Sequence, residues 1–210
     1  MVAVLSPYHS FNQNDILTSG HRAYRTPLGD VTIDRDAIDE FDRILEQGSG
    51  STAVSITHDT EHAIEIELPF LQRALAGKFD LLPLMLPGGG LDTALAVGTA
   101  LAGALKGRIA LLVASTDLSH YRSEAQARKM DECMIEAILT LSPQALLDVQ
   151  SEGEGYACGA VPLAAVVASS LALGADSASL LHYSTSADQS GDRSSVVGYA
   201  AVAIYRNAAG

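Results

Sequence analysis

Tryptophan is absent, cysteine occurs twice, and cations are scarce. The 210 residues carry 13 Lys and Arg against 25 Asp and Glu, a formal net charge of −12. A surface of that sign repels phosphate backbones and anionic lipid, which argues against nucleic acid and membrane as partners. Solubility alone accounts for the acidity. The two cysteines sit in different settings, Cys133 in an amphipathic helical pattern and Cys158 between Gly155 and Gly159. They make no disulfide framework and suit a reducing compartment. No apolar run approaches a membrane span in length. The opening Met1-Val2-Ala3-Val4-Leu5 is apolar, but it is too short for a signal peptide and lacks the charged flank. The expected location is the cytoplasm.

What is abundant is small and apolar. Hydrophobic residues make up 48% of the chain and aromatics only 5%, which points to helices packed closely on a sheet. The length fits one domain able to bury a real core without disulfides or a structural metal.

Hydrophobic periodicity alternates between strand and helix. Val2 to Leu5 reads as a strand broken by Ser6-Pro7, and Ile16 to Gly29 as loop-rich, with a turn at Tyr24 to Gly29. Val31 to Ile33 is a short strand. Asp34 is an N-cap for a helix with face Ile38, Phe41, Ile44 and Leu45, ending near Gly48. Ala53 to Ile56 is a strand, and Asp59-Thr60 can cap a helix through Ile64, Leu68 and Leu71, with Pro69 as a kink or a new start. Phe79 to Leu86 is a strand, and Leu91 to Leu105 an Ala-rich helix after Gly88-Gly89-Gly90. Ile109 to Ala114 is the most apolar strand, as expected of a central one. Helices follow at Ser123 to Leu139, Pro143 to Val149 and Val161 to Leu173, then strands at Ala178 to Tyr183 and Ser195 to Tyr205. The pattern predicts a three-layer single-domain α/β fold over residues 1–210, with a mostly parallel or mixed central sheet flanked by helices. Because the chain opens within a strand, a missing upstream element is also expected.

Ligands in such sheets bind beyond the carboxyl ends of strands, and polar clusters follow several predicted strands. These are Ser6-Pro7-Tyr8-His9-Ser10, Ser115-Thr116-Asp117-Leu118-Ser119-His120-Tyr121, and His58 to His62. Tyr156-Ala157-Cys158-Gly159 opens a helix, whose positive end favours a thiolate. Each has a plainer explanation: a hydrogen-bonded loop histidine, a turn-capping aspartate, a small buried cysteine. Imidazole, carboxylate and thiol at one sheet edge nevertheless make a candidate metal or catalytic site. His58-Asp59-Thr60-Glu61-His62 also spells the H-x-x-E-H of some zinc peptidases, which requires both histidines on one helix face. The cap signal at Asp59-Thr60 places His58 ahead of that helix.

These strings resemble the Memo family, whose prokaryotic members are called AmmeMemoRadiSam system protein B. Ser6-Pro7-Tyr8-His9 resembles its G-P-S-H, and Tyr24 to Gly29 its T-P-L-G turn. Glu61-His62-Ala63-Ile64-Glu65 followed by Leu68-Pro69-Phe70-Leu71-Gln72 is similar to E-H-S-I-E…L-P-F-L-Q. Ser115 to Tyr121 is similar to S-S-D-L-S-H-Y, Cys158-Gly159 to C-G, and Val196-Val197-Gly198-Tyr199 to the closing strand. The resemblance spans nearly the whole chain and implies a fold shared with class III extradiol dioxygenases, which are non-haem iron enzymes. It implies metal ligands at His9 and Cys158, acid/base or pocket roles for His120 and Asp117, and pocket positions for Glu61 and His62. The family's first His, in an A-P-H-A-G-Y segment, has no match, so the expected domain lacks an N-terminal strand and helix.

Three functions follow as expectations. The first is a metal-dependent oxidoreductase of unknown substrate using iron(II), with copper or zinc as alternatives, since a thiolate beside imidazoles suits those ions. The second is a non-catalytic scaffold that keeps the pocket for a small-molecule or peptide ligand; eukaryotic relatives are linked by the resemblance to cell-motility signalling. The third is zinc hydrolysis through His58, Glu61 and His62.

Overall fold

The computed structural model describes residues 1–58 and 60–207. In chain order it has β1 (Val2–Pro7), β2 (Leu17–Ser19), β3 (Ala23–Thr26), β4 (Gly29–Thr32), α1 (Arg35–Ser49), β5 (Val54–Ile56) and α2 (Leu68–Ala74). Then come β6 (Leu81–Leu86), α3 (Leu91–Leu105), β7 (Leu111–Ala114), β8 (His120–Arg122), α4 (Glu124–Leu139) and α5 (Pro143–Ser151). The last are α6 (Ala160–Ala172), β9 (Ser177–Thr185), α7 (Ala187–Ser190) and β10 (Val196–Tyr205). The central sheet has the order β5-β2-β6-β1-β7 and is mostly parallel, with a second sheet β8-β10-β9 and a hairpin β3-β4 beside it.

Alternation along β1 explains the three layers. Ala3 and Leu5 enter one apolar cluster, shared with Phe41 of α1, Leu101 of α3 and Ala164 of α6. Val2 and Val4 enter a second cluster on the other face, with Val31, Ile64 and Leu68. A strand covered on both faces reads as a nearly continuous apolar run, and all six residues of β1, Ser6 included, are buried. On the helical side α3 crosses α6 closely at Gly98, where a Cβ would lie 2.7 Å from that of Ala168. The Asp34 carboxylate accepts the Ala37 N–H at 2.8 Å and so starts α1 as expected.

Four expectations require correction. Ser6-Pro7 does not end β1, because parallel pairing with Met85 and Leu86 carries the strand through both residues. The stretch from Ile16 to Gly29 is not mainly loop: it contains β2, which gains a partner on each side, and the first arm of the hairpin. The second helix starts at Leu68 with Pro69 in its first turn, where a missing N–H is no loss; Asp59 lies outside the described residues. β7 is an edge strand, not a central one, and Ile109 before it is 97% exposed. An apolar run does not reveal whether both strand edges have neighbours.

Candidate functional site

β1 is parallel to β7, so the turns after Pro7 and Ala114 emerge at the same edge of the sheet. β5 behaves differently from expectation. It is parallel to β2, which is antiparallel to β6, so β5 runs away from that edge. The segment after Ile56 therefore returns across the sheet, where Ala63 O accepts the Ser115 hydroxyl at 3.0 Å. The return delivers Glu61 to His9, whereas His58 stays exposed beside Thr57.

Glu61 is the best-held polar group of this edge, its side chain being only 4% exposed. One carboxylate oxygen accepts the His9 N–H at 2.8 Å and lies 2.9 Å from His9 Nδ1. The other accepts the N–H groups of His62 and Ala63, at 2.8 and 3.0 Å. Burial pushes the carboxyl group up, but these donors outweigh it and leave Glu61 below the ordinary glutamate range. A carboxylate on Nδ1 fixes the ring and directs Nε2 outward, the arrangement common behind metal-ligating histidines. The His62 ring is 77% exposed, its Nδ1 3.7 Å from the carboxylate, beyond hydrogen-bond range.

The second group forms where the turn after β7 meets the start of α6. Cys158 Sγ accepts the Asp117 N–H at 3.2 Å and lies 3.6 Å from Thr116 Oγ1. Thr116 Oγ1 in turn accepts the Gly159 N–H at 2.8 Å. Glycine is required at 159 because a Cβ there would sit 2.8 Å from Ser115 O. His120 Nε2 is 3.5 Å from Asp117 Oδ2, and its ring meets that of Tyr156 edge-on at 5.3 Å between centroids. Burial, and then Cys158, raise the Tyr156 hydroxyl above the usual phenol range. Ser119, His120, Tyr121, Arg122, Met130 and Tyr156 line an open hollow of about 260 Å³. A larger concavity of about 1000 Å³ beside the β3-β4 hairpin contains none of the candidate residues.

Beneath His120 lies a brace that sequence reasoning missed. Asp131 is fully buried on α4 and accepts the N–H and hydroxyl of Ser119 and the Tyr183 hydroxyl, the last at 2.7 Å. Burial and this carboxylate hold the Tyr183 hydroxyl well above its ordinary range. Gly198 leaves room for the Asp131 carboxylate, which a Cβ would strike. The signal was available: Asp131 occupies the same helical stripe as Ala127, Met134, Ile135 and Ile138, where an acid is out of place unless bonded.

The structure thus joins His9 to Glu61 and gathers Cys158, Asp117 and His120 around one turn. Among the described residues, no three His, Cys, Asp or Glu side chains are grouped to hold a metal ion. The donor chemistry of His9 and Cys158 fits iron(II), copper or zinc, but a closed three-donor set is not formed by the described residues. No described helix spans His58 to His62, so the H-x-x-E-H spacing loses the shared helix face on which the peptidase reading depends. No helix among the described residues is long and apolar enough to cross a membrane.

Fold and site define a mixed α/β protein with imidazole, carboxylate and thiol groups at the carboxyl edge of a mostly parallel sheet. A family model described as Memo-like protein matches residues 1–203. A MEMO1 family protein of Methanopyrus kandleri is 37% identical over 208 residues, covering 98% of this chain and 72% of the relative. One from Nitrosopumilus maritimus is 35% identical, covering 96% of this chain and 72% of its own length. The chain belongs to the Memo-like family.

Proposed function

We propose that this protein is a metal-dependent oxidoreductase of the Memo family, with His9 and Cys158 as protein donors and iron(II) as the favoured ion. The observation that carries the reading is the buried Glu61 carboxylate on His9 Nδ1, which spends a buried charge on orienting an imidazole. Bound there, the metal would supply a Lewis-acidic, redox-active centre. The residues of the chain do the rest. His120 sits beside the hollow within reach of Asp117, and it holds or transfers a proton at Nε2. The aromatic ring of Tyr156 packs edge-on against His120 and restricts its rotation. The ligand is a small molecule or peptide segment that enters at this hollow.

A second reading, a non-catalytic pocket of the same fold, is favoured by the absence of a three-donor group among the described residues. An anaerobic iron(II) titration of the chain beside its Cys158→Ala and Glu61→Gln variants separates the two. Stoichiometric binding, abolished by Cys158→Ala and weakened about 10- to 100-fold by Glu61→Gln, supports the metal centre. No binding by a folded chain overturns it in favour of the pocket.

A further inference from the structure

We infer that Asp131 is a positioning residue for His120: its buried carboxylate braces the bulged backbone at Ser119 to Tyr121 and so aims the imidazole at the hollow beside Tyr156. The inference rests on the reading of His120 as the group that handles a proton there, but the brace itself needs no bound metal. A fully buried carboxylate is costly unless it is hydrogen-bonded. One oxygen of Asp131 takes both the N–H and the hydroxyl of Ser119, and the other takes the Tyr183 hydroxyl at 2.7 Å. Ser119 is held at its carbonyl too, which accepts the Gly198 N–H at 2.9 Å. The residue just before His120 is therefore tied at its N–H, its hydroxyl and its carbonyl. Gly198 is fitted to the same group, since a Cβ there would strike the carboxylate. The far end of the brace is anchored as well. The Arg128 guanidinium lies over the Tyr183 ring, 5.3 Å from its centroid, and donates to Glu124 one turn earlier on α4 at 2.7 Å.

The residue after His120 shows what the brace resists. Tyr121 has a φ of +57°, in the left-handed region that a bulky side chain rarely enters. In the ladder between β8 and β10, Val197 pairs with His120 and Val196 with Arg122, so Tyr121 is an extra residue on its strand. A bulge of this kind bends the strand and re-aims a neighbouring side chain. Strained backbone persists only where its surroundings over-determine it. His120 stands between the tied Ser119 and the strained Tyr121, and its ring meets those of Tyr121 and Tyr156 at 5.6 and 5.3 Å between centroids. The bonds of Asp131 go to Ser119 and Tyr183 and not to the ring, so the imidazole is aimed through its backbone while its nitrogens stay open to a ligand and to Asp117. An asparagine at 131 keeps the shape but offers one acceptor oxygen where the brace uses two.

The test is solution NMR of the full chain with labelled histidine and tyrosine rings, beside Asp131→Asn, Ser119→Ala and Tyr183→Phe, each checked by circular dichroism for retained fold. The unsubstituted chain should give one set of His120 ring signals and a cross-peak between the His120 and Tyr156 rings. Asp131→Asn should shift or split those signals and abolish the cross-peak, while the rings of His21 and His58 stay unchanged. The Ser119 amide should then exchange about tenfold faster. Ser119→Ala and Tyr183→Phe, which each remove one donor, should weaken the cross-peak without abolishing it. A brace that serves only the fold would lower the melting temperature and leave the His120 signals of the folded variants in place, and that result overturns the inference. If Asp131→Asn does not fold, Ser119→Ala and Tyr183→Phe decide by the same signals: a weakened cross-peak supports the brace and an unchanged one overturns it. None of these signals needs iron, so a chain that binds no metal can still show the brace, and a chain that binds metal can still lack it.

Discussion

His9 and His120 stand at the same edge of one sheet and are held in opposite ways. The His9 ring is 55% exposed, yet its partner Glu61 is 4% exposed and comes from a segment 52 residues away. The His120 ring is better covered, at 23%, but its acidic neighbour Asp117 is 49% exposed and only three residues distant. Fixing a side chain therefore depends on the burial of its partner more than on its own. A carboxylate held by three backbone N–H groups cannot follow a moving ring, whereas an exposed aspartate can. The first arrangement suits a group that must stay aimed, the second one that must gain and lose a proton.

The contrast predicts unequal responses. Glu61→Ala leaves the N–H groups of His9, His62 and Ala63 without their acceptor, and it should cost about 3 kcal/mol in urea unfolding. The same clamp has a pH signature. Because Glu61 is held below its unfolded value, about 4.3, its contribution is present above that pH and is lost as pH falls through the folded value. Glu61→Gln should therefore be destabilising at pH 7, and its deficit should shrink below about pH 4. A deficit independent of pH would assign the loss to packing. Gly159→Ala forces a Cβ against Ser115 O and should cost about 2 kcal/mol, with altered thiol reactivity at Cys158 as a second readout. His120→Gln should change stability by under about 0.5 kcal/mol. A loss as large as that of Glu61→Ala would end the comparison, because it would show both histidines to be structural.

That the candidate groups would gather at one sheet edge was legible, because the strings at His9, Asp117 to His120 and Cys158 all lie where strand or helix signals change. The clamp was not legible. Glu61 follows β5, and nothing local states that β5 runs opposite to β1, so the contact of Glu61 with His9 could not be read before the return of the chain was known. Asp131 was legible in principle as an acid in an apolar stripe, but its partners, Ser119 and Tyr183, are 12 and 52 residues away.

By itself the sequence determined most of the helices and the longer strands, since propensity and periodicity are local, but not β2 or the start of α2. The α3 range, the Asp34 cap and the apolar first four residues of β1 are read directly from it, as is the family through its strings. Tertiary structure alone decided which strand is central and which is an edge, because Val2–Leu5 and Ile109–Ala114 are equally apolar. Neighbours across the sheet are set by the packing of distant segments, and it is that packing which buries Glu61 against His9 and places β7 last in the sheet order.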